Sequence, residues 1–456
     1  MLRRHAGCAL LFAIAHGGCT TPPPEPTDAD VAMELATRND PAHVERALAM
    51  LDLAPLALPR PRIGTPPDPR TAETWRAFAL ANDPDVRRAR LDVAFAEASA
   101  RAAGRPAAIG VTATTMDAGD LRRESELTLS FDLLGVLGLG RAAAASALAD
   151  ARLRASVLRH EAAAWRAWYR VERARVTVAA AALRLDEIAT VAALVDGDRI
   201  RIDVLSRRGW LASDHLLEAT AMLHRVDERR ALAAAELAAA RSALAITAGL
   251  APDDPLLNGV DANALDDALG AAPYADALPT LAELLARHPE LRALRVELAV
   301  TTAAFEAVAA RRWPDLRIGP MWTWMPGETM TGGMIDAMFD FPGAVGAELD
   351  ALRAEHAVKR AGLTDAAARI RADLATTVAR TAAAETVLRD HATPQYDDGV
   401  ARFRAARARF ATDHATLDRW SMALRERLGA VDALVDARWN AAVARTELAE
   451  TAGPRR

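Results

Sequence analysis

From Arg141 to Val195 the chain runs for 55 residues without a glycine or a proline. At about 1.5 Å per residue, a helix over that stretch is roughly 80 Å long, too long for a compact domain. Its apolar positions Leu148, Leu153, Val157, Leu158, Trp165, Trp168 and Val171 recur at threes and fours, so one stripe seeks burial while arginines and glutamates stay in water. A rod of this kind needs partners along its whole length, and Ser213 to Ala248 is the expected returning arm of an antiparallel hairpin. Composition agrees. Apolar residues make up 51%, much of it alanine, against 5% aromatic and 26% charged, which suits thin, closely packed, extended helices.

The chain is also written twice, and that fixes the domain count. Pro84 to Ala94 reads PDVRRARLDVA and Pro289 to Ala299 reads PELRALRVELA. After a three-residue slip the register holds at an offset of 208, pairing Pro106 with Pro314 and FDLLGVLG from Phe131 with FDFPGAVG from Phe339. LASDH at Leu211 to His215 matches FATDH at Phe410 to His414. Each half runs helix, proline, two strand-like runs, glycine-rich turn, long helix, tip and returning helix. The expected helices cover Thr71 to Gly104, Arg141 to Arg201 and Ser213 to Ala248 in one half. In the other they cover Thr280 to Arg312, Ala344 to Arg407 and Thr412 to Thr451. Residues 71–250 and 280–451 are thus two repeats, joined by a linker at 251–279 that could form a belt at mid-height. A proline-rich arm at 19–70 precedes them and a short tail at 452–456 follows.

Between the helices the period switches to two. Leu127, Leu129, Phe131 and Leu133 alternate with Thr128, Ser130 and Asp132, and Ile335, Ala337, Phe339 and Phe341 alternate with Met334, Asp336, Met338 and Asp340. Ile109 to Met116 and Leu316 to Met325 are looser partner runs. Four runs of about 8 to 11 residues match tilted membrane-crossing strands. Four strands cannot close a barrel, and an open strand edge in lipid leaves backbone groups without partners. Three copies would give twelve strands, apolar outside and polar toward the lumen, whereas two would give eight and a plugged interior.

The N-terminus reads as an export signal over residues 1–18: Arg3 and Arg4 precede the apolar stretch Ala6 to Ala15, and Gly17 and Gly18 stand before Cys19. Cys19 is the expected lipidation site, with TTPPPEP behind it as a tether. An ordinary signal cut nearby is the alternative. Cys8 leaves with the signal, so the mature chain holds at most one cysteine and no internal disulfide. Without Arg3 and Arg4 there are 54 basic and 61 acidic residues, and no basic run suggests nucleic acid. No phosphate loop, nucleophile elbow or metal-spaced Cys and His cluster is present, so neither enzyme nor cofactor is expected.

The order of elements, with NDPDVRRARLDVAFAEASARAAGRP and its repeat RHPELRALRVELAVTTAAFEAVAARRWPDL, resembles the outer membrane factors typified by TolC, over about residues 71 to 451. The resemblance implies a mainly α fold with a small β part. Long antiparallel helical hairpins form a periplasmic α-barrel, and four strands per chain contribute to a trimeric twelve-stranded β-barrel in the outer membrane. It also implies a passive efflux duct, lipid-anchored in the outer membrane and extending into the periplasm. Its partners would be two sister copies, outer-membrane lipid, a periplasmic adaptor and an inner-membrane pump. RRGWLASDHLLEATAML at Arg207 to Leu223 is similar to the family's hairpin tip. Gly209, Trp210 and Leu211 are then the expected adaptor contacts, with Ala408, Arg409 and Phe410 as their glycine-lacking counterparts. Ser213 and Thr412, followed by Asp214 and Asp413, are expected to cap the returning helices, alone or with a gating role.

Three further features stay open. Asp132 and Asp340 hold equivalent repeat positions and would form acidic rings in a trimer's lumen, or else cap local turns. Met321, Met325, Met330, Met334 and Met338 are five of eleven methionines within eighteen residues. They offer soft sulfur to Cu(I), or simply fill lipid-facing and loop positions. Trp313, Trp322 and Trp324 are interface aromatics or ordinary packing. The alternative function is a periplasmic coiled-coil lipoprotein with a scaffold role.

Overall fold

In a computed structural model of the chain, residues 27, 29–30, 33, 37–51, 54–56, 58–61, 67–104, 110–117, 123–132, 140–260, 262–270, 279–312, 315–325, 328–338 and 342–454 are described. Cys19, Trp313 and Asp340 lie outside them. The chain begins with α1 (Pro41–Ala49), α2 (Ala72–Asn82), α3 (Pro84–Ala103), β1 (Gly110–Asp117) and β2 (Arg123–Asp132). The first hairpin follows as α4 (Gly140–Arg207) and α5 (Ser213–Ala248). The link between repeats carries α6 (Asn263–Gly270). The second repeat is α7 (Leu281–Arg287), α8 (Pro289–Ala310), β3 (Asp315–Met325), β4 (Glu328–Met338), α9 (Pro342–Thr386), α10 (Thr393–Thr412) and α11 (Leu417–Ala452).

At 68 residues, α4 is roughly 100 Å long and acts as the spine. It packs against α3 and α8 toward the sheet, against α5 along its return, and against α11 of the other repeat. Alanines carry much of this contact: Ala155, Ala164, Ala167, Ala179, Ala245, Ala441 and Ala442 are fully or almost fully buried, and their small side chains let helix axes approach closely. The bulk is concentrated where the short helices meet the spine. There Val44, Leu48 and Leu56 of the N-terminal segment join Trp75, Phe78, Trp165, Trp168 and Leu244 in one core. The link packs too, through Leu265 of α6 against α4 and α11.

The second long limb departs from the continuous helix expected over Ala344 to Arg407. Between α9 and α10 lies one π-helical stretch, Val387–Ala392. Pro394 sits in the first turn of α10, and proline lacks the N–H that an unbroken α-helix needs at that position. The wider turn absorbs the defect without ending the rod, and Thr393 Oγ1 donates to Leu388 O at 2.8 Å.

Each returning helix ends on the kink between the two short helices of its own repeat. Gly249, at φ +68°, closes α5 in a Schellman turn, with Leu250 N donating to Ala245 O at 2.8 Å. A Cβ at this position would lie 2.5 Å from Asn82 Cβ, just before Pro84. Gly453, at φ +78°, ends α11 against His288, just before Pro289, but with a single bond from its N–H to Glu450 O, since Pro454 has no N–H for a second. Gly249→Ala should lower stability by about 1–3 kcal/mol from the left-handed backbone alone, with the contact on Asn82 adding to it. Gly270→Ala, which faces open space, should leave the chemical denaturation midpoint unchanged.

Candidate functional site

The features expected to carry function fall at the two ends of the rod. At one end β1 to β4 form a single antiparallel sheet in the order β1-β2-β3-β4. β1 pairs with β2 and β3 with β4 as two hairpins, and the second joins the first through β2 and β3. Pairing of β2 with β3 skips from Thr128↔Met321 to Phe131↔Ile318, because Pro320 has no N–H for the ladder. Next to it Gly319 is required: a Cβ there would lie 1.6 Å from Leu129 O.

The register sorts the side chains into two faces. One carries Leu127 opposite Trp322, Phe131 opposite Ile318, Ile318 opposite Ile335 and Leu316 opposite Ala337. The other carries Thr128 opposite Met321, Glu126 opposite Thr323 and Arg317 opposite Asp336. Burial is the reverse of that in a water-soluble sheet. Thr128 and Ser130 are covered, at 3% and 5% exposure, while Ile335 is 78% exposed and Leu127, Leu129 and Phe131 are half-buried. Trp322 and Trp324 belong to the apolar face, Trp324 exposed.

The register also places the methionines and Asp132. The methionines were expected at lipid-facing or loop positions if they bound nothing. The register instead puts Met321, Met325, Met330 and Met334 on the polar face, in the same rows as Thr128, Thr323 and Asp336. In the strand register Arg317 pairs with Asp132 on β2 and with Asp336 on β4, so a basic position stands between two acidic ones in that row.

At the far end, the two hairpins share one core of Val195, Ile202, Leu205, Met222, Leu223, Phe403, Phe410, Leu417, Trp420 and Leu424. α4 stops in a second Schellman turn: Gly209 has φ +69°, Gly209 N donates to Ser206 O and Trp210 N to Leu205 O. The left-handed residue turns the chain so that Trp210 projects outward, 55% exposed. Its ring lies 5.9 Å from His414 of the other tip and under the Arg208 guanidinium at 5.2 Å. Leu211 packs partly into the core, whereas Ala408 and Arg409 are exposed.

Phe410 is a correction. It is fully buried against Trp420 at 6.0 Å, so it props the tip from within and is not itself a contact surface. Lacking a glycine, the second tip turns through extended Asp413, whose carboxylate accepts from Ala415 N at 3.0 Å. The capping assignments shift accordingly. Thr412 Oγ1 bonds back to Arg409 O, and α5 starts at Ser213 with Ala212 before it and no side-chain cap.

A chain of charged contacts missed from sequence ties the first hairpin to the second below the tip. Asp198 on α4, 8% exposed, accepts from Arg407 Nε at 2.9 Å and from Trp420 Nε1 at 3.0 Å. Glu187 accepts from Tyr396 Oη at 2.6 Å and from Arg427 at 2.9 Å. Burial, then the Glu187 carboxylate, push the Tyr396 phenol up. Arg184 bridges Glu236 and Asp436. The separations of Glu187 from Tyr396 and of Asp198 from Arg407 are both 209 residues, almost the repeat offset, so equivalent helices of the two halves lie side by side. That coincidence was the available signal. Asp198→Ala leaves a buried indole N–H and an arginine unpaired and should cost about 2 kcal/mol. Asp198→Asn, which keeps an acceptor, should cost less, as thermal unfolding of the two variants would show.

No family model and no curated protein sequence matches the chain. Solved structures do match. The outer-membrane channel OprN aligns with TM-score 0.69 at 17% identity, over 92% of both chains. A membrane protein from Pseudomonas aeruginosa aligns with TM-score 0.68 at 18% identity, over 84% of this chain and 93% of its own. The MtrE outer membrane channel of Neisseria gonorrhoeae, in its open state, aligns with TM-score 0.68 at 18% identity, over 84% and 89%. The chain therefore has the fold of these outer-membrane channels. Among the described residues, no group of three or more His, Cys, Asp or Glu gathers as a metal site.

Proposed function

We propose that the protein is the outer-membrane exit duct of a tripartite efflux system. In this reading it is a passive trimeric channel whose helical tips meet a periplasmic adaptor and, through it, an inner-membrane pump. The observation that carries this is the sheet: one face is apolar and leaves Trp324 and Ile335 exposed, Thr128 and Ser130 on the other face are covered, and β1 and β4 are its edges among the described residues. A scaffold in water has no use for such a face, which argues against the periplasmic structural role. In lipid the edges must be paired, and the repeat supplies the pairing. Because β3 is the repeat counterpart of β1 and β4 that of β2, the β2 to β3 junction inside the chain is the template for a β4 to β1 junction between copies. Three copies then close twelve strands, with the polar face lining the lumen.

The helices support the same assembly. Leu217, Leu232 and Ile246 of α5 are exposed, as are Leu91 and Phe95 of α3 and Val358 of α9, which leaves apolar surface along the rod for neighbouring copies to cover. By length and composition α5 is apolar enough to cross a membrane. In the hairpin that surface instead becomes an intersubunit face. Acylated Cys19 would anchor the N-terminal arm in the outer membrane.

Single-channel recording tests the reading: the purified protein should open long-lived, voltage-stable conductance in planar bilayers, and its absence would refute the duct. Ile335→Arg, on the lipid side, should cost about 2–4 kcal/mol if it lies near mid-membrane and deplete the heat-modifiable trimer on unboiled gels. Neighbouring Asp336→Asn, on the lumen side, should leave trimer yield unchanged. At the tip, Trp210→Ala should lower efflux-dependent resistance in cells without changing the melting temperature, because this indole is exposed.

A further inference from the structure

Methionine is a gap-filler of apolar interiors, so methionines gathered on the polar side of a membrane sheet call for another account. On β4, Met330, Gly332 and Met334 occupy alternate positions on that side. On the β4 side Met321 pairs with Gly332, so no β4 side chain faces it, while on the β2 side it lies opposite Thr128. A Cβ placed on Gly332 would lie 3.5 Å from Met321 Cε. The thioether end of Met321 therefore rests over the glycine, in the gap between Met330 and Met334. Diagonal neighbours in an antiparallel ladder stand about 7–8 Å apart at the backbone, within reach of long side chains. Met330, opposite Thr323, is also diagonal to Met325, opposite Glu328. Met330 is exposed and the other three are half-buried, so the sulfurs are presented at a surface and not sealed in a core.

Uncharged thioether sulfur is a poor ligand for hard cations and a good one for soft monovalent ions. We propose that Met321, Met330 and Met334 form a three-thioether site for Cu(I) or Ag(I) on the lumen face of the barrel, with Met325 as an adjacent fourth sulfur. The site rests on the duct reading for its place in a lumen, and makes soft metal ions a cargo class of the channel. Neutral ligands suit passage, since they bind without the strong charge attraction that would hold an ion in place. Glu126, in the row of Met330 on the same face, supplies general attraction for cations, whereas Asp336 is offset by Arg317 opposite it.

The test is equilibrium dialysis of the full-length protein in detergent against Ag(I) in chloride-free buffer, with bound metal measured by mass spectrometry. Leucine replaces methionine at similar volume without sulfur, so M321L/M330L/M334L should bind Ag(I) at least about tenfold more weakly than wild type. M422L, a lone exposed methionine on α11, should bind like wild type. Exposed Met330 gives a gentler variant: M330L alone should weaken binding at least about threefold should the triple variant fail to assemble. Binding within twofold of wild type in both sheet variants would overturn the site. Conductance separates the two ideas. Channels with unchanged Ag(I) binding in the variants sink the thioether site and leave the duct standing, whereas no conductance from wild type sinks the duct itself.

Discussion

A helix of 68 residues cannot bury its own apolar stripe, and the rest of the molecule answers that constraint. α4 runs nearly the full length of the rod; α3, α5, α8 and α11 are placed by contact with it, and α9 and α10 join through those helices. Near the sheet α3 and α8 cover it, near the tip α5 and α11 do. Alanine sets the terms of the contact, since with so few large side chains the stabilisation comes from many close approaches rather than from one thick core. Aromatic bulk gathers around Trp75 and Phe78 at the short helices and around Phe410 and Trp420 at the tip, with Tyr396 and Trp439 between them.

Duplication supplies the second constraint. Two copies of one plan, packed side by side, bring equivalent positions together, which is why Asp198 meets Arg407 and Glu187 meets Tyr396 at nearly the repeat spacing. The copies are not identical, and the differences sit at the turns. The first tip has Gly209 and a left-handed turn that throws Trp210 into solvent. The second has Asp413 in extended geometry and keeps Phe410 inside. One tip is thus built to present an indole and the other to support it, an asymmetry with direct bearing on how a partner would dock.

At the opposite end the sheet inverts the usual rule of burial. Ile335 and Trp324 are left on an open face while Thr128 and Ser130 are covered, an arrangement that gains nothing in water and suits a barrel wall with lipid outside. Pro320 and Gly319 interrupt the β2 to β3 ladder at the seam between repeats. The seam nevertheless holds in register on both sides of the gap, so the hairpins form one continuous sheet.

The sequence by itself determined the elements that local chemistry dictates. The 55-residue run without Gly or Pro required the rod, the internal repeat required two hairpins, and period-two alternation required strands. It also marked Gly209 at the tip, through the likeness of RRGWLASDH to the family's tip pattern, while the left-handed turn that needs a glycine there is seen only in the structure. What it left open depends on contacts between residues far apart in the chain. Pro394 is absorbed by a π-turn because packing holds the helix together across the defect. Phe410 is buried because the other hairpin covers it, and Asp198 finds Arg407 only when the repeats lie side by side. The methionines acquired a common face only through pairing of β3 with β4 and β2, since alternation along one strand cannot say which side a neighbouring strand will share.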